Sequence, residues 1–174
     1  MVFNHLTGHD VAGPFQQGVT IVRLIHGFGV AVAIIGAAGA AFAASEYEGA
    51  IKARQGLMRL NAFTIGQMAA MAKGETPYDA AAAQTLADNM VMLTKLDTGA
   101  LWPAGSDNAA TEGTNALPAA WAEGSDIGAK YMAWSDASVA MQAAAGKDLA
   151  SLQGAMEALG GSCGGCHKAF RASQ

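Results

Sequence analysis

The sequence has few charged residues, few aromatic residues and only two cysteines. Charged residues make up 14% and aromatic residues 7% of 174 positions, whereas 52% are apolar and alanine is abundant. Few segments beyond the N-terminus are rich in β-branched residues, so the composition favours helices over sheets. A formal net charge of −4 argues against nucleic acid as a partner. The two cysteines lie in one short motif, which leaves no disulfide framework.

Catalytic groupings are also absent from the sequence. There is no nucleophile–base pattern and no glycine-rich nucleotide-binding loop, and the acidic residues are scattered as on solvated helix faces. We therefore expect that the chain is not an enzyme.

The one motif that carries chemistry lies near the C-terminus, where Cys163, Cys166 and His167 form a C-x-x-C-H sequence. This spacing is the attachment signature of c-type haem, in which two thiols form thioethers with the porphyrin and the histidine ligates iron. A disulfide, a zinc half-site and a thioredoxin-type motif are the competing interpretations. Zinc requires more ligands than these three residues readily give, and a redox C-x-x-C normally follows a strand. The sequence therefore predicts one covalently attached haem c.

Residues 1–43 have the pattern of a secretory leader. A basic flank precedes an apolar run that ends at the A-x-A cleavage site Ala41-Phe42-Ala43. We expect cleavage after this site, a mature domain of residues 44–174, and export to the periplasm with no membrane contact afterwards. The competing interpretation is a retained anchor, because residues 19–44 are long enough to span a bilayer. The small residues at the end of the run favour cleavage.

Removal of the leader has a consequence for the iron. Three of the four histidines lie in residues 1–43, so His167 is the only histidine of the expected mature chain. A bis-histidine haem within one chain is thereby excluded, and the sixth position is filled by methionine, lysine or water, or it is empty.

Four helical segments are predicted after the leader. Their apolar residues recur with the period of amphipathic helices. The predicted segments are 45–73, 76–99, 125–145 and 147–171. Ser45 and Glu48 form a capping box for the first segment, and Thr76 with Pro77 suits the start of the second. The expected fold is all-α, an antiparallel four-helix bundle with haem c near one end.

A long loop, residues 101–124, separates the second and third helices. Connections of this length in a compact domain are usually functional or flexible. Its two tryptophans, Trp102 and Trp121, indicate that the loop folds against something apolar. Either the haem edge or the open end of the bundle meets this description.

The leader, the bundle and the C-terminal motif together resemble cytochrome c′, the class II c-type cytochromes. The resemblance covers essentially the whole mature chain. It rests on the following stretches: Lys52–Gln55, Pro77–Asp79, Leu101–Pro103, Thr111–Gly113 with Pro118, Trp121, and Cys163–Arg171.

The resemblance implies roles for individual residues of this sequence. Cys163 and Cys166 are the thioether sites, and His167 is the proximal iron ligand. Arg54 and Gln55 match a pair beside the haem edge and propionates, where a guanidinium can bond a carboxylate. Asn115 occupies a loop position near the haem, although it replaces an acidic residue there. Arg171 is expected to cover the proximal imidazole.

Met58 stands at the position that decides between two functions. It lies four residues after Arg54, on the same helix face, where the resemblance places the residue that blocks the distal side of the haem. We expect its thioether to bind the iron and give a six-coordinate, low-spin, one-electron carrier. The alternative is a five-coordinate, high-spin haem that binds nitric oxide or another small gas, with Met58 as one of several core methionines.

Partners follow from these expectations. An electron carrier requires redox partner proteins. Dimers are common in the family, so the resemblance implies that a homodimer could form through the first two helices.

Overall fold

The computed structural model describes the backbone of residues 31–173 and the side chains of residues 46–173. Four helices follow one another along this range: α1 Ala31–Ala72, α2 Ala80–Thr94, α3 Ile127–Ala144 and α4 Leu149–Phe170. Two 3₁₀ turns, Gly99–Leu101 and Pro118–Trp121, lie in the long connection between α2 and α3. Helix α1 packs against α2 and α4, and α3 packs against the same two helices. The predicted four-helix bundle is confirmed.

The bundle core consists of long flexible side chains set among alanines. Met68, Met90, Met141, Leu152 and Leu159 are fully buried, and each contributes about 1.5–3 kcal/mol through removal from water. Four buried alanines, Ala83, Ala87, Ala137 and Ala145, pack with them. Small residues allow close approach of the helices, and methionine fills the irregular gaps that remain.

Hydrogen bonds from side chains to helix ends join neighbouring helices. The Tyr78 hydroxyl donates to the carbonyl of Ala145 at 2.8 Å, and the Tyr131 hydroxyl donates to the carbonyl of Thr94 at 2.9 Å. Both acceptors lie at a helix C-terminus, where carbonyls have no partner within the helix. These bonds fix the ends of α2 and α3 against their neighbours.

The starts of α2 and α4 are each capped by an aspartate. Asp79 accepts a hydrogen bond from the amide of Ala82 at 2.9 Å, and Asp148 accepts one from the amide of Ser151 at 2.7 Å. The prediction that Thr76 caps α2 is wrong. Asp79 takes the extended backbone conformation of an N-cap, and its carboxylate satisfies a free amide of the first turn better than a hydroxyl three residues upstream.

Helix α1 begins earlier than predicted. It runs without a break through residue 45, so Ser45 is not its N-cap in this chain. Alanine is the best helix former, and the alanines that precede Ser45 continue the helix. The end of α1 agrees with the prediction, because Gly74 follows it with a φ of +74°.

Most of the expected leader lies outside the described residues, which include only its last part, residues 31–43, as the start of α1. The cleavage site and the competing membrane anchor therefore stay predictions. Among the helices of the described range, none has both the length and the apolar character needed to cross a bilayer.

Two glycines in different surroundings provide a test of this packing. A Cβ at Gly146, in the turn between α3 and α4, would lie 2.6 Å from Gln84 Oε1 and 3.1 Å from Gln84 Cβ. We expect Gly146→Ala to destabilise the haem-loaded protein by about 1–3 kcal/mol. The Gln84 side chain must move and lose its hydrogen bonds to Asp88 and to Gln142 O, and the Cβ of Gln84 is also too close. A Cβ at Gly154 in α4 meets nothing within 4 Å, so Gly154→Ala should stabilise by about 1 kcal/mol through helix propensity.

Denaturant unfolding of both variants measures the two effects. Equal stability of the two alanine variants would contradict the close approach of α2 to the α3–α4 turn.

Candidate haem-binding site

The C-x-x-C-H motif lies in the last two turns of α4. Cys163, Cys166 and His167 are all half-buried, and both cysteines are free thiols. Residues three and four apart share one face of a helix, so the two thiols and the imidazole lie along the same side of α4. This is the donor set that haem attachment requires.

The protein environment shifts the titration of all three groups. Burial raises the pKa of Cys163 and of Cys166, and for Cys166 the neighbouring Cys163 adds to the effect. Burial lowers the pKa of His167, and the positive charge of Arg171 lowers it further. A lower pKa favours the neutral imidazole, which is the form that ligates a metal.

Helix α4 leaves space beside the motif. A Cβ built on Gly160, Gly161, Gly164 or Gly165 meets no atom within 4 Å beyond the helix itself. Glycines in a helix interior are unfavourable, but they let a flat group approach the backbone closely. Two thiols, a neutral imidazole and this bare helix surface fit a covalently attached haem.

Arg54 and Gln55 of α1 hold the long loop and are the most extensively bonded of the predicted site residues. The guanidinium of Arg54 is 4% exposed and donates to Leu101 O, to Ser106 Oγ and O, and to Thr114 Oγ1, at 2.9–3.1 Å. Gln55 Nε2 donates to Gly113 O at 2.7 Å. Burial lowers the pKa of Arg54, although a guanidinium stays charged at any ordinary pH.

The two loop tryptophans flank this guanidinium. Arg54 Cζ lies 4.6 Å from the centre of the Trp102 ring and 5.7 Å from that of Trp121. The rings are 5.6 Å apart, and Trp121 Nε1 donates to Trp102 O at 3.0 Å. Each tryptophan thus contacts the other ring and the guanidinium of Arg54. These contacts account for part of the surface against which the loop was predicted to fold.

Asn115 and Arg171 come together at the C-terminal end of α4. An isolated antiparallel bridge joins Ala116 to Arg171, and Asn115 O accepts from the amide of Ala172 at 2.8 Å. Both side chains are exposed. The backbone of Arg171 donates to His167 O at 3.0 Å, so these residues contact the haem-binding turn through their main chains.

Met58 lies one turn after Arg54 on α1 and is 42% exposed. It is not part of the buried core cluster, unlike Met68 and Met71 ten and thirteen residues further along. The interpretation of Met58 as an ordinary core methionine therefore does not fit its surroundings.

Sequence reasoning missed two members of this site, Ser106 and Thr114. Ser106 is fully buried and bonds Arg54 through both its hydroxyl and its carbonyl. The only signal was a run of small polar residues in a long loop. Their partner is more than fifty positions earlier in the chain, and no local pattern indicates such a pairing.

Comparison with known proteins identifies the family. The family model described as Cytochrome C' matches residues 49–171. Cytochrome c-554 of Cereibacter sphaeroides is 45% identical over 128 residues, which cover 74% of this chain and 96% of the relative. Among solved structures, a cytochrome c' from Rhodobacter sphaeroides is 41% identical with a TM-score of 0.72, covering 74% of this chain and 98% of that one.

A third relative was solved with a gas. It is a nitric oxide complex of a variant cytochrome c prime from Alcaligenes xylosoxidans, 32% identical with a TM-score of 0.64, covering 74% of this chain and 97% of that one. The matched family carries iron in covalently attached haem c, as the C-x-x-C-H motif predicted. A family model that spans the bundle and the haem motif, with relatives of this identity, establishes that the chain belongs to the cytochrome c′ family.

Proposed function

We propose that this chain is a haem c protein that binds nitric oxide or another small gas at the iron face opposite His167. Cys163 and Cys166 form the thioethers, and His167 is the proximal ligand. One observation carries the proposal. The chain belongs to the cytochrome c′ family, and a relative in that family was solved as a nitric oxide complex.

The chain's own residues prepare this site from both sides. Burial lowers the pKa of His167 and so favours the neutral imidazole, the form that coordinates a metal. Arg54 and Gln55 hold the long loop against α1. Bound haem iron supplies the coordination position for the gas. The nitric oxide complex of a relative supports this proposal.

The second candidate is the electron carrier expected from the sequence, with His167 and Met58 both on the iron. Its supporting observation is position: Met58 follows the buried Arg54 by four residues and shares its helix face. The 45% identical relative is named cytochrome c-554 rather than cytochrome c′. The family description and the solved structures favour gas binding over this candidate.

Absorption spectra of the haem-loaded protein distinguish the two candidates. We expect a broad high-spin spectrum that shifts when CO or NO is added, because a gas-binding haem leaves the sixth position of the iron open to the gas. Met58→Leu should leave the spin state unchanged. Met92→Leu, at an exposed position of α2, is the matched control.

The electron carrier predicts the opposite result. The wild type would then show narrow low-spin bands and a methionine-to-iron charge-transfer band near the red end, with no shift on gas addition. Met58→Leu would convert it to a gas-binding form.

We also propose a homodimer formed through the first two helices, as the sequence resemblance implied. Exposed apolar side chains lie on or next to both helices: Leu60 and Phe63 on α1, Met92 on α2, and Leu96 two residues after the end of α2. We propose that these side chains contribute to the interface, because exposed apolar patches typically mark one. An electron carrier would in addition dock redox partner proteins.

Sedimentation equilibrium tests the dimer. Phe63 is 66% exposed, and Phe63→Asp should convert a dimer into a monomer because it buries an unpaired charge in the interface. Met132→Asp changes an equally apolar, exposed residue of α3 and should leave the dimer intact. A wild type that is monomeric throughout would refute the interface.

For localisation, we propose export to the periplasm with removal of residues 1–43. N-terminal sequencing of the exported, haem-loaded protein should give Ala44 as the first residue. A sequence that begins upstream of residue 31 would instead support the retained anchor.

A further inference from the structure

Arg54 carries a buried positive charge that no carboxylate neutralises within residues 46–173. Its guanidinium is 4% exposed, and none of the ion pairs formed by the described side chains includes it. Burial of an unpaired charge costs several kcal/mol unless polar partners replace the lost water. Oxygens of Leu101, Ser106 and Thr114 replace it here, together with two indole faces.

These contacts use both terminal nitrogens of the guanidinium. Nη1 donates to two oxygens and Nη2 donates to two more. An arginine has five N–H donors, so only the Nε–H is left for any other acceptor. The expected role of Arg54, bonding a haem propionate through its fork, would require the loop to release it.

The loop that Arg54 binds is fastened at its other end to α4. The amide of Leu117 donates to Phe170 O at 2.9 Å, and the amide of Ala172 donates to Asn115 O at 2.8 Å. Phe170 is three residues after His167. A continuous path of hydrogen bonds thus runs from Arg54 on α1, through residues 101–117, to the helix end that carries the proximal ligand.

We propose that Arg54 is a positioning residue, which sets the place of Met58 relative to the haem by fixing α1 to this loop. Met58 is one helical turn from Arg54, about 6 Å along the axis at ~1.5 Å per residue. The loop links that turn of α1 to the His167 turn of α4, so the Arg54 contacts set the distance between these two turns. The proposal rests on the haem assignment above and deepens the proposed function.

Arg54→Lys is the sharpest variant, because it keeps the charge. A lysine has three donors on one nitrogen, and it cannot serve four acceptors or present a planar group to the Trp102 ring. Arg59→Lys makes the same change at an exposed position of the same helix and serves as the control. Thr114→Val removes one acceptor at nearly constant volume and provides a milder change if Arg54→Lys fails to fold.

Three properties of the haem-loaded proteins test the proposal: the rate of CO binding to the ferrous form, the absorption spectrum and the melting temperature. We expect Arg54→Lys to change the CO rate at least about tenfold, since small displacements near a reacting centre have effects of this size. Thr114→Val should change it in the same direction by less, and Arg59→Lys should not change it.

A double-mutant cycle with Met58→Leu tests whether Arg54 acts through Met58. Residues that act through one another show non-additive effects, so Arg54→Lys should alter the CO rate much less in the Met58→Leu background. Additive effects would overturn the proposal. The proposal would also be overturned if Arg54→Lys lowered the melting temperature but left the CO rate and the spectrum as in the wild type. If Arg54→Lys does not fold, the same criterion applies to Thr114→Val.

The proposed gas binding is tested separately, on the wild-type protein. A wild type that binds neither CO nor NO refutes gas binding, and the spectrum then tests Arg54. In that case Arg54→Lys should weaken the methionine-to-iron charge-transfer band, whereas an unchanged band would overturn the positioning role.

Discussion

The buried guanidinium of Arg54 constrains this structure more than any other single group. The charge of Arg54 is tolerated only because four oxygens and two indole rings surround it, and those groups come from three separate parts of one loop. Each contact has a required distance and direction. Only one conformation of the long connection between α2 and α3 therefore places all of these groups around Arg54. These contacts fix the conformation of the loop without regular secondary structure.

The same loop connects fold and function. Its middle is held by Arg54 and Gln55 of α1, and its later part pairs with the backbone beyond His167. Haem proteins of this architecture depend on distances between groups on different helices, and side-chain packing alone fixes such distances poorly when the core consists of methionine and alanine. Directional hydrogen bonds supply the precision that this soft core lacks.

Local sequence patterns predicted most of the bundle and part of the site. Helical periodicity and the glycine after α1 depend only on neighbouring residues, and the C-x-x-C-H motif needs five consecutive positions. Errors arose where two local signals competed. Thr76 and Asp79 are both good caps, and Ser45 follows alanines that continue a helix. The contacts of Arg54 span about fifty to sixty residues, and the state of Met58 depends on ångström-scale separations, so neither follows from sequence spacing.

Four glycines near the C-terminal end of α4 lower the stability of this part of the helix. Gly160, Gly161, Gly164 and Gly165 have open space around them, and each lowers helix stability by about 1 kcal/mol relative to alanine. The summed effect of the four glycines approaches the entire free energy of unfolding of a marginally stable domain, about 5 kcal/mol. A bundle redesigned with alanines there would fold more firmly as an empty protein. The natural chain instead gives up helix stability at this end of α4, and the helix surface beside Cys163 and Cys166 stays free of side chains.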